Sequence, residues 1–176
     1  MVRFDEVKAT FWDRDFEEVQ PPLTDAAVQE AEAELGVRLP SSLLEILRIR
    51  NGGVVASRWN AFPTTAPTSW SEDHVSLDEV MGIGRRENQS SLLDTPYLVG
   101  EWELPSSLVL VSGDGHSWIA LDYRECGRQG EPSLTWFDAD EETELALAAD
   151  FTTFVERLTC AENLGADSPN QSTGLL

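Results

Sequence analysis

The chain has 176 residues, of which 41% are hydrophobic, and it contains six tryptophans. This length and composition predict one folded domain with a single sizeable core. The formal net charge of −20, from 32 acidic and 12 basic side chains, disfavours binding to nucleic acid or to an anionic membrane. The negative charge instead favours binding to a basic protein. The alternative is that the acidic side chains only keep the protein soluble.

Acidic residues concentrate in two segments of the chain. Residues 1–34 carry ten acids and three bases, whereas residues 131–150 carry seven acids and no base. If these segments meet in the folded chain, they form one strongly negative surface. The sequence alone leaves open whether they meet.

Cysteine usage and the N-terminal sequence predict a cytoplasmic location. Cys126 and Cys160 are too few for a disulfide framework, and neither has a partner at CxxC spacing. The N-terminus is charged from Arg3 onward and lacks the apolar core of a signal peptide. No apolar run is long enough to cross a bilayer.

We expect the domain to span residues 1–160, with residues 1–21 as an N-terminal extension that packs aromatic side chains onto it. Thr24 then predicts the N-cap of a helix over 25–35, which Gly36 ends in the left-handed conformation. A second helix opens at Leu39-Pro40 and ends at Asn51-Gly52-Gly53. Its inward face is expected to comprise Leu43, Leu44, Ile46 and Leu47.

The middle of the chain is less regular. Val54–Trp59 is predicted as a short strand, and the proline-containing stretch Asn60–Trp70 as an irregular surface connection. Val75–Met81 is predicted as a short helix. Gly82–Thr95 is the most polar internal region, and we expect it to form a mobile loop.

The segment 108–124 carries the strongest pattern in the chain. The apolar run Leu108–Val111, the turn cluster Ser112–His116 and the extended run Ser117–Asp122 predict a β-hairpin. Both faces of the second arm are largely apolar, which predicts an internal strand at the centre of a sheet.

After the hairpin, a loop over 125–131 is expected to return the chain as a third strand, Ser133–Phe137. Asp138–Glu144 is predicted as an acidic connection. Asp150 is a suitable N-cap for a closing helix with an apolar face. The remaining residues, 161–176, offer little apolar material, so we expect a disordered tail.

An enzymatic alternative gathers Asp114, His116 and Asp122 around the hairpin as acid–base groups. Against it, Asp114 is placed to accept hydrogen bonds in an Asx turn, and Asp122 to pair with Arg124 two residues on. No nucleophile, base and orienting group stand at recognisable spacing, so we predict no catalytic residue. With two histidines and two unrelated cysteines, we also predict no metal site and no cofactor.

The ordered motifs of the chain resemble those of the SMI1/KNR4 family, part of the SUKH superfamily. The resemblance covers about Pro22–Leu158. Its motifs are Leu39-Pro40, Asn51-Gly52-Gly53, Leu104-Pro105, Asp114-Gly115, the strand 118–124, Gly130-Glu131-Pro132, Trp136 and Ala149-Asp150-Phe151. The resemblance implies an α+β fold with a mainly antiparallel central sheet flanked by helices.

The resemblance also implies a usual bacterial role as an immunity protein, which binds and neutralises a cognate polymorphic toxin, often a nuclease. Fungal relatives instead regulate cell-wall synthesis and signalling. We therefore expect a non-catalytic, cytoplasmic protein-binding module that occludes a basic toxin domain through an acidic surface. The alternative is a regulatory scaffold of the cell-wall or signalling type.

Tryptophans and acidic side chains supply the candidate contacts with that partner. Trp59 and Trp70 flank the proline-containing loop, so we expect one of them to be a partly exposed anchor, whereas Trp118 and Trp136 are expected in the core. The candidate partner-binding residues are Trp59, Trp70, Asp114, His116, Asp138, Asp140, Glu141 and Glu142.

Overall fold

The structure is a computed structural model that describes residues 2–165. Within this range its helices are α1 (Val2–Ala9), α2 (Asp25–Leu35), α3 (Ser41–Ile49), α4 (Thr95–Glu101), α5 (Phe151–Glu156) and α6 (Ala161–Leu164). Its strands are β1 (Gly53–Val54), β2 (Ala61–Pro63), β3 (His74–Ser76), β4 (Glu79–Val80), β5 (Leu108–Gly113), β6 (Ser117–Asp122), β7 (Ser133–Asp138) and β8 (Thr143–Ala148). None of these helices has the length and apolar character needed to span a bilayer.

The central sheet has four antiparallel strands in the order β5-β6-β7-β8. Strand β6 is internal, and five of its six residues are buried, which confirms the predicted hairpin and its central position. Strand β5 carries a bulge between Leu110 and Ser112. Together with the helices, this sheet confirms the predicted α+β fold.

Two short sheets, β1–β4 and β2–β3, lie beside the central sheet. The Ser112 hydroxyl donates to the Glu79 carbonyl at 2.6 Å. The Met81 amide donates to the Val111 carbonyl at 2.8 Å. These two bonds hold β4 against β5.

The predicted boundaries of α2 and the predicted start of α5 are confirmed by their caps. The Thr24 hydroxyl accepts from the Ala27 amide at 3.1 Å, and Gly36 ends α2 at φ 69°. Asp150 accepts from the Thr153 amide at 2.7 Å. Helices α1 and α3 pack against α5, which in turn covers β7 and β8. The apolar faces of these elements form one continuous core.

Several predictions for the middle of the chain are wrong. Val75–Met81 is not a helix but contains β3 and β4, because Val75 and Leu77 alternate with polar residues and face the core. Val54–Trp59 is not one strand, because Val54 ends β1 and Ser57–Trp59 form a 3-10 turn, and Asn60–Trp70 includes β2 with Ala61 and Phe62 buried. Each error falls on a strand of two or three residues, which is too short for a periodic signal.

Three further segments differ in detail from expectation. The acidic connection is shorter than predicted, because β8 begins at Thr143 and pairs with β7. In the N-terminal extension the helix ends at Ala9, with Phe4 and Phe11 buried and Phe16 52% exposed. The predicted tail begins with α6, and its residues 166–176 lie outside the described range.

The Asn-Gly-Gly motif is explained by a buried asparagine that joins three parts of the chain. Asn51 is 1% exposed. Its Nδ2 donates to the carbonyls of Pro21 at 2.7 Å and Ile83 at 2.8 Å, and its Oδ1 accepts from the Ile83 amide at 2.8 Å. Gly52 follows at φ 90°, where a Cβ would collide with the Gly82 backbone.

We predict that Asn51→Ala lowers the free energy of unfolding by roughly 2–4 kcal/mol, because several buried backbone groups lose their partners at about 1–3 kcal/mol each. Urea unfolding followed by tryptophan fluorescence measures this change. Asn163→Ala, at an exposed position, is the control and should stay within about 0.5 kcal/mol of the parent. Equal stability of the two variants would contradict the structural role of Asn51.

Candidate functional site

An open groove of about 600 Å³ lies between the β2–β3 hairpin and the turn that joins β5 to β6. This volume is within the range of protein ligand pockets. The groove is lined by Thr68, Trp70, Ser71, His74, Val75, Ser76, Asp78, Glu79, Ser112, Gly113, Asp114, Ser117, Trp118, Ile119 and Trp136. These described lining residues include three acids and three tryptophans but no lysine or arginine.

One wall of the groove is the Trp70 loop, residues 64–73, which joins β2 to β3. Backbone hydrogen bonds close it at its base, from the Thr64 amide to the Asp73 carbonyl at 2.8 Å, and at its tip, from the Thr68 amide to the Ser71 carbonyl at 2.7 Å. Trp70 stands at this tip and is 64% exposed. A large aromatic side chain left in water on an ordered loop is typical of a protein-binding anchor.

Asp138 at the end of β7 fixes the Trp70 loop beside the acidic turn, residues 139–142. The Ser69 hydroxyl donates to Asp138 Oδ2. Asp138 Oδ1 accepts from the amides of Asp140 at 3.0 Å and Glu141 at 2.9 Å. Burial raises the pKa of Asp138, but these donors outweigh burial and hold the pKa below its ordinary value. One ionised carboxylate thus positions both Trp70 and the exposed acids that follow.

Asp114 forms the predicted Asx turn between β5 and β6. Its Oδ1 accepts from the amides of His116 and Ser117, both at 2.9 Å. Burial raises the pKa of Asp114, yet the amide donors lower it further, so the group is ionised at neutral pH. Asp114 Oδ2 has no donor among the described residues, which leaves one oxygen available to a ligand.

Aromatic rings extend from the Trp70 loop to the sheet. The His116 ring lies between Trp70 and Trp102, with centroid distances of 6.4 and 6.1 Å, and Trp102 lies 6.3 Å from Trp118. Gly113 is required here, because a Cβ at this position would overlap the Trp118 ring. Trp118 is 4% exposed, and its indole Nε1 has no acceptor among the described residues. An unpaired buried donor costs roughly 1–3 kcal/mol, which a bound acceptor would offset.

Most exposed carboxylates near the groove lack a basic partner. In the acidic turn, Asp140 Oδ2 lies 2.9 Å from His116 Nδ1, while Glu141 and Glu142 are exposed and form no salt bridge within residues 2–165. At the base of the Trp70 loop, His74 Nδ1 lies 2.7 Å from Asp73 Oδ1, and this hydrogen bond lowers the pKa of Asp73. The whole face therefore presents negative charge together with aromatic surface.

Comparison with known protein families identifies the scaffold. The model of the SMI1 / KNR4 family (SUKH-1) matches residues 22–157. The chain belongs to this family. The match agrees closely with the range over which the sequence motifs resemble it. No curated protein matches the chain.

In this SMI1/KNR4 domain two of the candidate contact residues are not on the surface. Trp59 is 8% exposed, and its indole Nε1 donates to Thr10 Oγ1 at 3.0 Å, so the exposed anchor of the loop is Trp70. Asp138 is 3% exposed and acts through the loop and turn that it holds. The other candidates, Asp114, His116, Asp140, Glu141 and Glu142, lie at or beside the groove and stay candidates for partner contact.

The three residues of the enzymatic alternative do not form one cluster. Asp122 lies at the far end of β6 from Asp114 and His116, roughly 20 Å away at about 3.3 Å per residue. It instead accepts from Arg124 Nη2 at 2.7 Å and from Thr135 Oγ1 at 2.9 Å. Among residues 2–165 there is also no group of three potential metal ligands.

Sequence reasoning missed Asp78 and Glu79, which line the groove from the β3–β4 segment. The helix predicted for Val75–Met81 would have placed these two acids at different positions around its axis. In the structure both acids lie at the rim of the groove. Two apolar positions, Val75 and Leu77, are too few to distinguish a strand from a helix by periodicity. Ser69, which holds the Trp70 loop, had no signal in the sequence, because its partner is 69 residues away.

The first acidic segment contributes no residue to the groove lining. Several of its carboxylates are instead paired with bases: Asp5 with Lys8 at 3.0 Å, Asp25 with Arg48 at 2.7 Å, and Glu34 with Arg85. Exposed pairs of this kind contribute little to stability, but they reduce the local negative charge. The negative face beside the groove therefore comes from residues 73–79, Asp114 and the acidic turn.

We predict that Asp122→Asn lowers the free energy of unfolding by about 1–3 kcal/mol at neutral pH, because the Arg124 side chain loses a charged, buried partner. Burial raises the pKa of Asp122, but its hydrogen bonds with Arg124 and Thr135 hold that pKa below 3.8. The stabilisation is thus present above pH 3.8 and is lost as the pH falls through the lowered pKa.

The measurement is urea unfolding of parent and variant at neutral pH and in acid below 3.8. The difference between them should shrink in acid, since protonation removes the charge of Asp122 in the parent. Glu144→Gln, which removes an exposed partner of the same arginine, should cost no more than about 0.5 kcal/mol. An unchanged difference across this pH range would contradict the assignment.

Proposed function

We propose that this SMI1/KNR4 domain is an immunity protein that neutralises a basic, nuclease-type toxin domain by binding to it. The observation that carries the proposal is the placement of exposed Trp70 beside the exposed acidic turn, at a groove whose described lining holds no lysine or arginine. Family membership supports a protein-binding role. The structural roles of Asp114 and Asp122 favour binding over catalysis.

The mechanism is occlusion of the toxin's nucleic-acid channel. A nuclease binds phosphates with a basic surface, and the acidic turn with Asp114 offers carboxylates to the same surface. Since hydrogen bonds already hold the turns that carry these carboxylates, the backbone of the turns loses little conformational freedom on binding. The docked domain then excludes the substrate by volume and by charge.

Charge and aromatic surface have separate kinetic roles in this mechanism. The carboxylates of the acidic turn steer encounter and set the salt dependence of association. Trp70 becomes buried in the complex and slows dissociation. The proposal places the protein in the cytoplasm, where such a toxin would meet nucleic acid.

The test uses the C-terminal domain of a toxin encoded beside this gene, with its nuclease activity assayed with and without this protein. We predict that the combined change Asp140→Asn, Glu141→Gln and Glu142→Gln lowers the association rate constant roughly tenfold or more at low salt, with a smaller effect at high salt. Stopped-flow tryptophan fluorescence measures the rate.

The matched control is Asp15→Asn, Glu17→Gln and Glu30→Gln, which removes the same charge from exposed positions in the first acidic segment. It should change the rate by less than about threefold, because distant charges are screened. Equal effects of the two variants would assign the steering to overall charge rather than to the acidic turn. Failure to bind or inhibit any adjacent basic nuclease domain would overturn the proposed function.

A further inference from the structure

We infer that the groove between the Trp70 loop and the β5–β6 turn binds an arginine side chain of the partner, with the guanidinium against Trp70 and paired with Asp114. This inference rests on the proposed function and adds to it the anchor residue and its position. The acidic turn is the steering surface, whereas the groove is the place where one side chain of the partner is held.

The lining of the groove selects a cation. Asp78 and Glu79 line the groove from the β3–β4 segment, and Asp114 lines it from the β5–β6 turn. The carboxylates of Asp78 and Glu79 accept no side-chain hydrogen bond from the described residues, and Asp114 has one oxygen without a donor. A cationic side chain that enters the groove therefore meets acceptors not already used by the fold.

The aromatic wall selects a planar cation. Trp70 lines the groove and is 64% exposed, so its ring is available for stacking. An arginine guanidinium stacks on an indole and donates in a fixed planar fork to carboxylates, whereas a lysine ammonium is a compact and strongly hydrated charge. Trp70 and Asp114, which both line the groove, suit the planar fork better than the point charge.

Trp118 places a second tryptophan in the lining of the groove. It is 4% exposed, and its indole Nε1 has no acceptor among residues 2–165. Because the ring lines the groove, its N–H signal can report whether a peptide has entered.

The experiment titrates the full ¹⁵N-labelled chain with the peptide acetyl-Gly-Arg-Gly-amide and, in parallel, with acetyl-Gly-Lys-Gly-amide. The indole N–H signals of Trp70 and Trp118 report on the groove by NMR. We expect the arginine peptide to cause saturable shifts of both signals. The lysine peptide should bind more weakly than the arginine peptide by roughly fivefold or more. Equal binding of the two peptides would overturn the inference.

Two variants test the walls separately. Trp70→Ala removes an exposed ring, and Asp114→Asn keeps the carbonyl oxygen that the turn needs while removing the charge. Each variant should weaken binding of the arginine peptide by roughly fivefold or more. The controls Phe16→Ala and Asp15→Asn change an exposed aromatic and an exposed acid away from the groove, and should bind like the parent.

The outcomes for the groove and for the proposed function are distinguishable. If the toxin domain is neutralised, but Trp70→Ala and Asp114→Asn bind toxin and arginine peptide like the parent, the inference is overturned and the function stands. If the arginine peptide binds as expected while no basic nuclease domain is neutralised, the function is overturned and the groove assignment stands.

Discussion

The antiparallel register of β6 and β7 places the acidic turn beside the β5–β6 turn. Ser117 pairs with Asp138 and Trp118 with Phe137, so the β5–β6 turn and the acidic turn emerge at the same end of the sheet. A slip of one residue would turn Trp118 and Trp136 from one face to the other. Burial on both faces of β6 makes such a slip costly. The core therefore holds the groove in place.

The acidic residues divide into two physical classes. Asp122 and Asp138 are buried, their charges are met by hydrogen bonds, and they stabilise the fold or position loops. Asp140, Glu141 and Glu142 are exposed and stand at the rim of the aromatic face. Asp114 belongs to both classes, because one oxygen holds the turn and the other is available. Net charge alone does not distinguish these classes, since it counts every carboxylate equally.

Local patterns were sufficient wherever a segment was long and periodic. The caps at Thr24 and Asp150 and the hairpin around β6 were predicted correctly because short-range hydrogen bonds and alternating burial determine them. The short strands β2, β3 and β4 were not predicted, because two or three residues carry no period and depend on partners elsewhere in the chain. The acids Asp78 and Glu79 were missed with them.

The sequence by itself determined the family, the fold class, the central hairpin and the concentration of acids in two segments, since each is written in residue order or composition. Only the tertiary structure decided that Trp70 rather than Trp59 is exposed, that Asp138 is a buried support, and that the groove lies where three distant segments meet. The physical reason is that burial and pairing depend on neighbours in space, and those neighbours are set by strand register and loop closure across many residues.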